Sequence, residues 1–238
     1  MIFKGCMRPI YYDTETTGVR PGKDRVIELA AFDPVQNKTF CSLINPQCPI
    51  PIESSKICHI TDDMVKDAPL FGDQADNFVS FCDGDTVLIA HNNDAFDQLF
   101  LIDEFQRIGR NLPPWRFIDS LKWSRKYRSD LPRHSLQFLR EVYKIESNQA
   151  HRALDDVYVL HQVFSRMIDD LPLDTVMELL NQPTDITRMP FGKHHGKNLA
   201  DIPKNYVEWL DASGALDKKE NAPLRESFVK LSLLREKK

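Results

Sequence analysis

The chain reads as an α/β fold, a mixed five-stranded sheet flanked by helices, with a small C-terminal α+β extension. Three observations predict it. Short runs rich in Ile, Tyr, Val and Leu come first, joined by turn residues such as Gly18 and Pro21-Gly22. Further on, strand-like runs alternate with segments of helical period. Beyond residue 171 the prolines at 172 and 183 bracket a segment that leads out of this pattern.

The elements follow in order. Pro9 to Asp13, Val26 to Asp33 and Thr39 to Ile44 are predicted as strands, and their tight connections suggest an antiparallel meander. Gln74 to Cys82 has helical spacing. Val87 to Ala90 is a fourth strand after the turn Asp83-Gly84-Asp85, and Arg116 to Ile118 a fifth. Ala95 to Ile108, Ser135 to Tyr143 and Ala153 to Ile168 are predicted helices, and Leu171 to Pro183 is a helix leading outward. A domain of residues 1–172 and a small basic one of residues 183–238 are expected.

With 42 % hydrophobic and 28 % charged residues, and no apolar run of about 18 residues, the composition fits a soluble globular chain with no membrane partner. The N-terminus lacks a signal-like apolar region, so nothing is expected to cross a membrane, and the cysteines read as the reduced thiols of a cytoplasmic protein. Five cysteines, odd in number and never in a C-x-x-C pair, suggest neither a disulfide framework nor a zinc ribbon. Net charge is −4, which does not advertise a nucleic-acid partner, but its distribution is uneven. Pro113 to Arg140 holds seven Lys/Arg against two acids, and residues 183–238 hold eleven against eight, so acids are concentrated elsewhere.

Some of those acids fall at strand ends. Asp13-Thr14-Glu15-Thr16-Thr17-Gly18 closes the first strand. Side chains two apart on a strand point the same way, so Asp13 and Glu15 can share a hard cation such as Mg²⁺ or Mn²⁺. A polar turn would use the same residues. His91-Asn92-Asn93-Asp94-Ala95-Phe96-Asp97 follows the fourth strand, where α/β proteins place ligands. An acidic first helical turn is the plainer account of Asp94 and Asp97, with Asp94 as N-cap. His151-x-Ala153-x-x-Asp156 opens the last long helix. At about 100° per residue, Ala153, Val157, Leu160, Phe164 and Met167 form its apolar face. Asp156 lies on the flank of that face, whereas Asp155 points to water. A capping or surface histidine is the plainer account of His151.

Together these three motifs, in this order, resemble the DEDDh 3′→5′ exonucleases, over roughly residues 8–168. Ile57-Cys58-His59-Ile60-Thr61 is similar to a loop that lies against the terminal nucleotide in that family. The resemblance implies a ribonuclease H-like fold and two-metal hydrolysis with two Mg²⁺ or Mn²⁺ ions. It implies Asp13, Glu15, Asp97 and Asp156 as metal ligands and His151 as general base. It also implies substrate contacts at Thr14, Thr16, Thr17, Gly18, His59, Ile60, His91, Asn92 and Phe96.

Pro113 to Arg140 interleaves its basic residues with Trp115, Phe117, Trp123, Tyr127 and Phe138. These are either stacking platforms for a single strand or core at helical spacing. In the extension, residues 186–210 read as strand, glycine turn, strand and short helix, with Lys193, His194, His195 and Lys197 on the turn. Adjacent histidines diverge, so a metal site there is disfavoured. The turn is instead similar to the C-terminal extension of exonuclease X-type members, with Lys193 and Lys197 as substrate contacts. The expected activity is release of nucleoside monophosphates from 3′ ends, with DNA favoured over RNA, in repair or proofreading. An exoribonuclease and a noncatalytic polymerase-associated module are the rival readings. The sequence sets no oligomeric state.

Overall fold

The computed structural model describes residues 7–146, 153–182, 186–218 and 221–235. The chain divides into two compact units, residues 1–180 and 181–238.

The first unit is built on a five-stranded sheet of order β3-β2-β1-β4-β5. Strands β1 (Arg8–Thr16), β2 (Val26–Asp33) and β3 (Lys38–Leu43) form the expected meander, antiparallel throughout. Strands β4 (Thr86–Ala90) and β5 (Arg116–Asp119) extend it in parallel from β1. This is the mixed sheet expected of a ribonuclease H-like fold. Central β2 and β4 are buried along their whole length, since helices cover both sheet faces.

Strand alternation sends β1 side chains into two cores. Ile10 and Tyr12 join Phe78 of α3 (Phe71–Phe81) and Phe100, Leu101 and Phe105 of α4 (Asp97–Arg107) on one face. Tyr11 lies on the other, under α7 (Ala153–Ile168), where its ring meets His161 edge-on at 4.9 Å and Phe164 at 6.4 Å. Helix α8 (Leu173–Asn181) packs into this second core through Val176, Met177 and Leu180. Four shorter helices, α1 (Ile52–Cys58), α2 (Asp62–Val65), α5 (Ser120–Tyr127) and α6 (Leu136–Val142), fill the connections.

Most of the aromatic residues between 113 and 140 prove to be core. Trp123 is buried against Phe164, while Trp115 and Phe117 pack on the α3/α4 core. Tyr127 packs against Trp123 with its ring tilted by 40°, and both its hydroxyl and the Lys126 ammonium donate to the Leu179 carbonyl, at 3.0 and 2.6 Å.

Two buried carboxylates fasten the sheet. Glu104 of α4 receives Arg25 in a bidentate pair (2.8 and 3.0 Å) and the Val26 amide at 3.2 Å. Asp33, closing β2, receives Arg8 and the Val35 and Gln36 amides. Each charge is matched where it is buried, as burial demands.

The second unit has its own core of Met189, Leu199, Ile202, Val207, Leu210, Leu216, Leu224 and Phe228. Helices α9 (Lys204–Ala212) and α10 (Ala222–Lys230) supply half of it. The expected pair of strands is reduced to one antiparallel bridge, Arg188 to Asn198, with 3-10 turns at Gly192–His194 and Leu199–Asp201. The intervening segment is too short and too rich in Gly and His to extend a ladder. The four described cysteines, Cys41, Cys48, Cys58 and Cys82, are thiols outside any disulfide. Among the described residues no helix is long and apolar enough to cross a membrane.

Candidate active site

Asp13 and Glu15 leave the end of β1 on the Tyr11 side, the side that α7 covers. The ladder breaks register between Glu15 and Thr16, so β1 bulges just past the second acid. Helix α7 brings its first turn to the same place. One carboxylate oxygen each from Asp13, Glu15 and Asp156 lie within 4.8 Å of one another. Asp155 is half-buried rather than open to water, yet it takes no part in this group. The 100° step of the helix separates the two neighbours.

Asp97 approaches from the opposite face, at the first residue of α4. Thr14, which alternation places opposite Asp13, donates to Asp97 Oδ1 from both its amide (3.0 Å) and its hydroxyl (2.7 Å). Thr14 is therefore buried and engaged in positioning a carboxylate, not open to a ligand. Loss of hydration pushes the Asp97 carboxyl up to about 7, against the Thr14 hydrogen bonds that pull it down. Asp13 stands well above the ordinary carboxylate range for two reasons. Burial comes first, and the negative charges of Asp97, Glu15, Asp156 and Glu28 follow.

Several supports of this site were not legible in the sequence. Glu28 on β2 stands directly opposite Glu15 in the ladder, and its Oε2 accepts the Ala153 amide at 3.2 Å. A lone acid inside an apolar strand gave the only signal. Asp119, closing β5, caps α5 by accepting the Leu121 and Lys122 amides (2.9 and 3.2 Å). It also takes the Asn92 and Asp94 amides (3.1 and 3.2 Å), which fixes the β4 exit. Asp-Ser-Leu-Lys after a strand is an N-cap pattern that could have revealed it. The Tyr12 hydroxyl, at the bottom of the same exit, donates to Asn93 Oδ1.

The expected substrate contacts divide. Gly18 lies close under Asp24, since a Cβ there would stand 2.5 Å from an oxygen of the Asp24 carboxylate and displace that side chain. Thr16 and Thr17 are buried; Thr16 donates to the Gly18 carbonyl (2.6 Å) and the Thr17 hydroxyl accepts the Arg25 amide (2.9 Å). His59 is exposed in the left-handed conformation that ends α1, and the Ser54 hydroxyl ties that helix to the Thr17 carbonyl at 2.7 Å. Ile60 corrects an expectation. Its side chain is wholly buried with Ile27, Ile50, Cys58 and Val65, so it supports the loop from beneath. His91 spends both ring nitrogens internally, Nδ1 on the Ser120 hydroxyl and Nε2 on the His134 carbonyl, each at 2.8 Å. Burial holds its imidazole below the ordinary value. Asn92 is half-buried with a left-handed backbone, and Phe96 packs on Phe100 at 4.8 Å. Asp94 is not the N-cap of α4: it sits in a 3-10 turn and faces Lys122 at 3.4 Å. His151 lies outside the described residues. Lys193 and Lys197 are exposed in the second unit.

The donor set fits a divalent metal. It is all oxygen, converges from three elements, and gathers negative charge that the strongest neighbouring charges only increase. Carboxylates clustered at the end of the first strand of a 3-2-1-4-5 mixed sheet define a ribonuclease H-like nuclease. Residues 10–164 match the exonuclease family of ribonuclease T type, and the chain belongs to that family, in accord with the DEDDh resemblance of its motifs. Residues 177–219 match a family described as "putative quorum-sensing-regulated virulence factor".

Among curated relatives, the PolC-type DNA polymerase III of Caldanaerobacter subterraneus subsp. tengcongensis is 31 % identical over 192 residues. That alignment covers 76 % of this chain and 13 % of the polymerase. The Staphylococcus epidermidis enzyme of the same name is 32 % identical over 166 residues, 68 % of this chain and 11 % of that one. The chain therefore spans only a small part of the relatives it matches. Among solved structures, exonuclease I superposes with TM-score 0.63 at 21 % identity, over 74 % of this chain and 44 % of the other. Exonuclease X in complex with 5′ overhanging duplex DNA gives 0.55 at 21 %, over 73 % and 99 %. At such identities the likeness is one of fold.

Proposed function

We propose that this exonuclease degrades DNA from 3′ ends, releasing nucleoside monophosphates, with Asp13, Glu15, Asp97 and Asp156 holding two Mg²⁺ or Mn²⁺ ions. The observation that carries the reading is the convergence of Asp13, Glu15 and Asp156, with Asp97 fixed by Thr14 beside them. Bound there, divalent cations would make water a better nucleophile at neutral pH and offset charge on the departing 3′-oxygen. The chain's own residues do the rest. His151 takes the proton from water as its oxygen bonds to phosphorus and the P–O3′ bond breaks, and the leaving oxygen is protonated in turn. Glu28 and Asp119 hold the backbones of α7 and of the β4 exit, so that four carboxylates from three segments meet. His59, exposed at the rim beside β1, is suited to meet the terminal nucleotide.

DNA is preferred over RNA as substrate because the relatives are DNA polymerases and the exonuclease X neighbour is complexed with DNA. A role in repair or proofreading accords with this. Residues 1–172 would act as the catalytic domain, and residues 183–238 as an extension of exonuclease X type whose Lys193 and Lys197 engage the strand.

End-labelled single- and double-stranded DNA and RNA oligomers, incubated with Mg²⁺, Mn²⁺ or EDTA, test this. Degradation should need the cation and favour DNA. Asp13→Ala should lower the rate roughly 10³-fold or more, the several kcal/mol of transition-state stabilisation that a bound cation supplies. Activity that survives EDTA or Asp13→Ala would overturn the mechanism, and faster loss of RNA would overturn the substrate.

A further inference from the structure

The second unit carries an aromatic surface that the hydrolytic chemistry leaves unused. Gly192 has φ +74, and a Cβ there would stand 2.7 Å from the Tyr206 hydroxyl oxygen. Only glycine lets the Lys193-His194 turn press so closely on α9. The His194 ring meets Tyr206 edge-on at 4.6 Å, and Tyr206 in turn stacks on Trp209 at 5.5 Å with 29° between the planes. Trp209 is 59 % exposed, more than any other aromatic side chain among the described residues. An indole offers a large apolar area that normally seeks cover. Cations stand close by. Lys193 and Lys197 sit on the same turn as His194, the Lys197 amide donating to the His194 carbonyl at 3.1 Å, and burial and then their charges hold the imidazole below its ordinary value. Arg188 reaches the same turn, donating to the Gly196 carbonyl at 2.9 Å.

A polypeptide partner would call for a contiguous apolar patch. Along α9 and its C-cap the exposed neighbours of Trp209 are Lys204, Asn205, Glu208, Ala212 and Ser213, which are polar or small. Solvent-facing stacked rings flanked by lysines match the needs of unpaired nucleotides, whose bases stack without sequence preference while phosphates meet cations.

We propose that this face of the second unit, Trp209 stacked on Tyr206 with Lys193 and Lys197 alongside, binds unpaired nucleic-acid strand through base stacking. The class of ligand rests on the nucleic-acid reading of the first unit.

The test uses the full chain in EDTA, so that binding is read without hydrolysis. A fluorescein-labelled oligothymidylate is compared with an abasic strand of equal length and charge. Trp209→Ala should weaken oligothymidylate binding about 5- to 100-fold, leave abasic binding unchanged, and leave the thermal midpoint within a few degrees. Trp209→Phe keeps a stacking ring and should bind nearly as wild type. It should also lose most of the tryptophan quenching that the oligomer causes, because Trp123 is buried and Trp115 packs against the core of the first unit. Oligothymidylate binding unchanged in Trp209→Ala, equal wild-type affinity for the abasic strand, or no binding of either strand would each overturn the proposal. The two readings fail separately. Cleavage in Mg²⁺ with unchanged Trp209→Ala binding sinks only the surface, while Trp209-dependent binding without cleavage sinks only the active-site reading.

Discussion

Glu104 and Asp13 are both carboxylates held inside the first unit, and the fold treats them in opposite ways. Glu104 receives an arginine fork and a backbone amide, so its charge is answered by the protein. The strongest charges acting on Asp13 are four further carboxylates. Asp33 follows the first pattern, with Arg8 against it. Arginine is thus available to this fold for neutralising buried acids, and none of the ion pairs formed among the described residues brings one to Asp13. A protein that gathers like charge at a cost in stability is holding a site in readiness for a cation.

The sharpest test of where that site ends compares two adjacent residues. Asp156→Ala removes an oxygen from the converging group and should lower the exonuclease rate by about 10³-fold, on the order of 4 kcal/mol. Asp155→Ala should leave it within a few-fold. Equal losses in single-turnover assays would show that helix orientation does not select the ligand.

A second contrast concerns stability and has opposite signs at the two places. Glu104→Gln strands the Arg25 guanidinium. Breaking a buried pair costs about 3 kcal/mol, reduced here because Arg25 is partly solvated. Asp13→Asn relieves repulsion and should add about 1 kcal/mol in EDTA. Added Mg²⁺ should raise the thermal midpoint of the wild type and not of Asp13→Asn. If Asp13→Asn melts below the wild type in EDTA, the account of stored repulsion is wrong.

The same contrast explains what the sequence revealed. Strand β2 and helix α7 keep the limits expected of them, Val26–Asp33 and Ala153–Ile168, because a long apolar run and a sustained 3.6-residue period leave little ambiguity. The pairing of Asp13 with Glu15 follows from strand alternation alone, and the choice of Asp156 from helix period. Short α1, α2, α5 and α10, of four to nine residues, were not among the expected helices. Glu28 and Asp119 act by accepting backbone amides from segments distant in sequence, a role that residue type does not advertise. Ile60 went astray for the related reason that it borders a polar loop in sequence and a hydrophobic cluster in space.

The gentlest probe is acid titration of stability in EDTA. Burial raises the Asp97 carboxyl to about 7, against roughly 4 in an unfolded chain. Between those values the folded state holds the extra proton, and unfolding releases it. Stability therefore falls as pH rises from about 4 to 7 and levels off above, with a slope of at most about 1.4 kcal/mol per pH unit for one proton. This is the reverse of an acid stabilised by an arginine, whose contribution disappears on acidification. Asp97→Asn should flatten the slope in urea melts run at several pH values. Saturating Mg²⁺ should invert it, because cation and proton compete for the same oxygens. A wild-type chain that gains stability between pH 5 and 7 in EDTA would mean that Asp97 is ionised throughout, its charge met by the two Thr14 donors alone.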